Sequence, residues 1–182
     1  MDFTHYNNEA VDLAVELVNT DHRFYGGPDQ IGDLTSLKAF LADYEDLWSG
    51  VANQPRRDDL KSIHQVRDDL RGVVSADDVA DASKRLNVIL DKYGAAPHIS
   101  VHTGEPHLHF EPRDPSMRSW LGVVTAMGLA TVLVHHGLER FGICRSDKCD
   151  DVFVDTSKNR SRCHCSTQCS TREAVAAHRA RK

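Results

Sequence analysis

Four cysteines near the end of the chain have the type and spacing that a metal can use. Cys144 and Cys149 are four residues apart in the gap between them, Cys165 and Cys169 three, and fifteen residues join the two pairs. Each pair offers two corners of a tetrahedron from one local turn, and the arm between folds back to bring them together. The i, i+4 spacing of the second pair places both sulfurs on one face of a helix. Thiolates are soft, which favours zinc or an iron–sulfur centre over magnesium or calcium. Four protein ligands leave no position for water, so a single structural zinc ion is expected. Cys163 and His164 adjoin the set and can compete for it. The helical pair is better placed, and Cys163 is expected to be a free thiol.

A second group of candidates is a run of histidines. His98 to His102 and His107 to Glu111 alternate with period two around Thr103–Pro106, which predicts a hairpin with a four-residue loop. Pairing His102 with His107 puts Ile99, Val101, Leu108 and Phe110 on a core side. His98, His102, His107, His109 and Glu111 then share the other face, where they can hold a metal or an acidic ligand. No Gly-rich phosphate loop, nucleophile elbow or His-Glu-x-x-His stretch is present, so no enzyme is expected.

These candidates need elements to position them. Ala10, Leu13, Ala14, Leu17 and Val18 recur at helical spacing between Glu9 and Thr20. Gly26-Gly27-Pro28 marks a loop. A second helix, capped by Thr35 or Ser36, carries Leu37 to Trp48. A third begins near Pro55, and a fourth, capped by Ser75, buries Val79, Ala82, Leu86, Ile89 and Leu90 and ends at Gly94. Pro115 or Ser116 starts a long, strongly apolar helix to about Arg140, the expected centre of packing. Its apolar run from Trp120 to Val134 is too short to span a bilayer. Phe141-Gly142 reads as a hinge. Beyond it come a knuckle, a strand at Val152–Val154, a polar turn at 157–161, and a helix opened by Ser166 or Thr167 that runs to about Arg181. The expected fold is α+β and mainly helical, in two parts. Residues 1–140 form a helical domain with one hairpin, and 141–182 form a small treble-clef-like zinc module.

Charge divides the same way. Of 22 Lys/Arg and 27 Asp/Glu, residues 1–140 hold 13 and 22, a net of −9. Residues 141–182 hold 9 and 5, a net of +4. An acidic body with a basic end suits a tail that touches nucleic acid. Lys158, Arg160 and Arg162 on the turn, with His178, Arg179, Arg181 and Lys182 at the end, are the cations best placed for phosphate. Arg172 returns to the metal side of the last helix, where it either neutralises the thiolates or reaches a phosphate. All five cysteines fall after residue 143, unlike a secreted disulfide scaffold. The opening residues Met1-Asp2-Phe3-Thr4-His5 lack a basic or apolar leader, so a cytoplasmic protein off the membrane is expected.

The C-terminal stretch resembles the zinc fingers named for a Cys-Gly-Asn-Arg motif, which follow an N-terminal ABATE domain in bacterial proteins described as transcription regulators. The resemblance is carried by Cys144, Cys149, Val152 to Ser157, Asn159, Ser161, Arg162, Cys165-Ser166, Cys169, Arg172 and Ala177 to Arg181. Leu13 to Thr20 is similar to the opening helix of that family. The name-giving tetrapeptide departs from the pattern: it reads Cys169-Ser170-Thr171-Arg172 here. The resemblance implies a zinc-binding regulator of transcription, with double-stranded DNA as partner. Its N-terminal domain would sense a small-molecule effector or form a homodimer. The alternative is a ligand- or protein-binding module in which zinc only fastens the tail. A third reading makes the histidine face the site of a hydrolase.

Overall fold

The computed structural model describes residues 5–21, 27–101 and 104–181. Side chains at 5–7, 100 and 107 fall outside this description, as do Gly26, His102, Thr103, Lys182 and the opening residues 1–4.

Helix α1 (His5–Asn19) buries the stripe its spacing predicts: Ala10, Leu13, Ala14, Leu17 and Val18 are all in the core. Helix α6 (Met117–His136) lies against it. Gly128 makes that approach possible, since a Cβ there would stand 2.8 Å from the Ala10 carbonyl carbon and oxygen. By length and composition α6 would pass as a membrane span, but most of it is buried inside the fold. It is the packing centre, touching α1, α4 (Leu60–Val74) and α5 (Val79–Lys92). It stops short of Arg140, because Gly137 turns the chain at φ 87°. Residues 138–140 form a 3-10 turn instead.

Caps differ from the expected ones by a few residues. The predicted second helix is two pieces, α2 (Leu34–Ala42) and α3 (Glu45–Trp48). Asp33 caps α2 in a reciprocal box with Ser36, whose amide donates to Asp33 Oδ1 at 2.8 Å. Asp78 rather than Ser75 caps α5, so Val79 is the first residue of the helix and is exposed instead of inward. Buried Arg67 on α4 fastens the segment after α1. Its guanidinium donates to both oxygens of Asp29, at 2.8 and 2.7 Å, and to Thr20 Oγ1 at 3.2 Å. Such a fork-to-fork pair fixes geometry as well as charge.

The hairpin forms from β1 (Ala95–Ser100) and β2 (His107–Pro112), in a register two residues from the expected one. His98 faces His109, Ser100 faces His107, and Ala96 faces Glu111. A shift of two preserves which residues share a face. The core side, however, is only partly a core side. Ile99, Val101 and Leu108 are 70%, 63% and 64% exposed, while Ala95 and Phe110 pack on the core. Only the base of the ribbon reaches the helices.

Phe141-Gly142 is not a hinge. It lies in β3 (Phe141–Ile143), which pairs antiparallel with β4 (Val152–Val154). All three β4 residues are buried, and Val152 belongs to the main core. Val154 packs with Val11 of α1 and Val132 of α6. The last helix, α7 (Thr167–Ala180), buries only Cys169.

Candidate metal centre and the surface around it

The Cys144–Cys149 knuckle closes through a turn in which the Cys149 amide donates to the Ser146 carbonyl at 3.0 Å. The β3–β4 ribbon anchors it, with the Cys144 amide donating to the Asp151 carbonyl at 2.8 Å. Ser166 caps α7, its hydroxyl accepting from the Cys169 amide at 3.2 Å. That cap starts the helix at Thr167, so Cys165 lies just before the helix and only Cys169 is on its first turn; the helix supplies one ligand rather than the expected two.

The four sulfurs lie within 4.8 Å of one another. Cys149 and Cys165 are 3.5 Å apart, Cys165 and Cys169 3.6 Å. A tetrahedral zinc with Zn–S bonds of about 2.3 Å needs sulfurs about 3.8 Å apart, so the set fits one zinc ion. Cys144, Cys149 and Cys169 are buried and Cys165 is half-buried. Desolvation and hydrogen bonding with Cys149 and Cys169 push the Cys165 thiol up. Desolvation also raises Cys169, but hydrogen bonds from Ser166 and Cys165 outweigh it and draw that thiol down. A metal ion binds thiolates, so filling the site would release the protons these sulfurs hold. Cys163 stays outside the cluster, its thiol 3.5 Å from the Ser161 carbonyl, and His164 is not among the grouped ligands.

Arg172 turns toward the sulfurs, with Nη2 3.0 Å from Cys169 Sγ and 3.0 Å from Ser146 Oγ. Arg162 is engaged inside the module. Its Nε donates to the His164 carbonyl at 2.9 Å, its Nη2 to the Cys165 carbonyl, and its guanidinium sits 5.0 Å over the Phe153 ring. Arg160, at φ 52°, is exposed and paired with Glu139. Lys158, His178, Arg179 and Arg181 are exposed. On the hairpin, His98 and Glu111 are exposed and His109 is half-buried. Among the described residues only the four cysteines form a metal-capable group.

Sequence reasoning missed the residues that seat the module. The Asn19 side chain pairs with the Val152 backbone like an extra strand residue, donating to its carbonyl at 2.9 Å and accepting from its amide at 2.8 Å. Arg71 donates to the Asp150 carbonyl at 2.9 Å. Buried Arg140 donates to the carbonyls of Asp155 and Ser157, at 3.0 and 2.7 Å. Asp155 in turn accepts from the amides of Ser157 and Arg162. Against the cost of its burial, those bonds and Arg140 hold its carboxyl below the usual range. A polar residue just past the last apolar position of the α1 stripe was the one available signal for Asn19.

A mainly helical body with a four-cysteine zinc module at its end defines a zinc-finger protein whose metal is structural. Two family models match in that order. The ABATE model, described as "Putative stress-induced transcription regulator", covers residues 11–136, and the CGNR zinc finger covers residues 140–182. The chain belongs to the ABATE family and carries the CGNR zinc finger that the C-terminal motif predicts. No curated protein matches it.

Proposed function

We propose that this is a cytoplasmic transcription regulator that binds double-stranded DNA through α7 and the basic turn beside it. The body would sense a small effector or pair two copies. The observation that carries the reading is α7: fourteen residues of helix in which only Cys169 is buried. An isolated helix of that length is marginal in water, so its cap and zinc-bound first turn hold it in place for something outside the chain. An α-helix fits the major groove. Lys158 and Arg160 on the turn that precedes it in the chain, with His178, Arg179 and Arg181 at its end, offer cations for phosphate. The family description supports the regulatory role. A site whose four corners are all protein sulfur has no place for a substrate, which favours a non-catalytic protein. For an effector, a cleft of about 620 Å³ between α1 and β4 is lined by Asp12, Glu16 and Ser166, the cap of α7.

The test is binding of the zinc-loaded chain to duplex DNA by fluorescence anisotropy across a salt series. Affinity should fall with salt, with a log–log slope of about −0.9 per phosphate contact. Lys158→Glu and Arg181→Glu should each weaken it and flatten the slope. Binding indifferent to both reversals, or no binding at low salt, counts against DNA. That second outcome would favour the other reading, zinc as a fastener for a protein-binding module. The seating of the tail by Asn19, Arg71 and the Arg160–Glu139 pair speaks for that reading.

A further inference from the structure

We infer that Arg172 is the cation that neutralises the thiolate centre, and that Ser146 and Glu173 hold it there and set the direction in which α7 leaves the metal. This rests on the zinc site and goes beyond the DNA reading, which does not require it. Zn²⁺ with four thiolates carries about two negative charges. The sulfurs are largely buried, so water screens little of that charge. Asp151 adds to it, with Oδ2 3.4 Å from Cys165 Sγ.

Arg172 answers it from one helical turn beyond Cys169, the i, i+3 spacing that makes two side chains neighbours. Its Nη2 lies 3.0 Å from both Cys169 Sγ and Ser146 Oγ. A guanidinium only donates, so Ser146 must accept from it. The serine's own proton then goes to Glu173 Oε1, 2.7 Å away. Ser146 is buried in the knuckle, while Arg172 and Glu173 are consecutive on α7. One hydroxyl thus ties the knuckle to the helix. A lysine could supply charge, but as a more strongly hydrated ammonium rather than a planar guanidinium.

The same geometry accounts for the altered tetrapeptide. Ser170 and Thr171 are exposed, and it is Arg172 that reaches back to Cys169 Sγ. The Cys169–Arg172 pair is the working unit, and the two residues between them are free to change.

The experiment uses the zinc-loaded full chain and two readouts that need no DNA. One is the rate of zinc release to a chromogenic chelator. The other is the sulfur-to-metal charge-transfer band after cobalt replaces zinc. Arg172→Met should weaken zinc binding about ten- to a hundred-fold and shift the cobalt band. Arg172→Lys should recover part of the loss, Ser146→Ala should show a smaller one, and Ser170→Gly with Thr171→Asn should match the parent. If Arg172→Met does not fold with zinc, Arg172→Gln takes its place, keeping donors without charge. Parental zinc release and a parental cobalt band in the variant overturn the inference. Loss of DNA binding with both readouts parental would assign Arg172 to phosphate and overturn it equally.

Discussion

Leu17 in the body and Cys169 in the tail are both buried, and different forces put them there. Leu17 sits in a continuous core of aliphatic and aromatic side chains from six helices and the base of the hairpin. Cys169 sits in a cluster whose only members are cysteines. The body is held by apolar area removed from water, which grows with every residue added. The tail has too little such area, and what it has, in β4, is spent inside the body's core. A metal replaces a core where the chain is too short to build one. Between the two lies a seam of another kind, made of Asn19, Arg71 and Arg140, where side chains complete the backbone hydrogen bonding of the incoming segment.

The sharpest way to break this contrast is to remove the metal. Structural zinc contributes on the order of 10–16 kcal/mol in comparable modules. Cys165→Ser, or a strong chelator, should disorder the tail and lower helical circular dichroism. Both tryptophans, Trp48 and Trp120, are in the body, so their fluorescence should barely move. Tryptophan emission falling in step with the helical signal would mean one cooperative unit and no contrast. Next in size is Leu13→Ala, in the fully buried stripe of α1. It should cost about 2–5 kcal/mol in urea unfolding followed by tryptophan emission, with stoichiometric zinc retained.

Asn19→Ala tests the seam. It leaves the Val152 amide and carbonyl without partners, at a cost of about 1–3 kcal/mol. Chelator should then reach the zinc faster while the body's urea midpoint shifts only modestly; unchanged zinc release would show that the seam does not protect the module. The smallest effect is at Asp33. Its backbone and side-chain hydrogen bonds with Ser36 hold the carboxyl below its usual value. A depressed folded-state value gives stability that is present above the unfolded value of about 3.9 and lost as pH falls through the folded one. The gap in thermal midpoint between the parent and Asp33→Ala should therefore be constant from about pH 5 to 8 and close toward pH 3. Zinc release at neutral pH should be the same in both.

How much of this was legible depends on how local the cause was. Helical stripes in α1 and α5 could be read because burial repeats with the helix period, and α6 because it is apolar almost all round. The cysteine quartet could be read because its spacing is its chemistry. Ser166 could be read as a cap because a serine there stands just before the helical run that carries Cys169. The hairpin's alternation gave its faces but not its register, since slips of two residues look alike to the pattern. Nor did alternation say that Ile99 and Leu108 would lie past the reach of the helices. The hinge at Phe141-Gly142 failed because a glycine beside an aromatic also suits a strand packed on a ring, here that of Phe153. Arg162 looked like a cation for phosphate, and nothing in the sequence showed three carbonyls and a ring waiting for it.

By itself, then, the sequence determined the helical body, the hairpin and the metal, with its four ligands, because periodicity and ligand spacing act within a few residues of chain. Which cations face inward, where the tail docks, and that α7 stands uncovered were decided only by tertiary structure. Those outcomes depend on carbonyls, sulfurs and carboxylates brought together from up to 133 positions apart, as Asn19 and Val152 are, and a charge has no direction until its partners are in place.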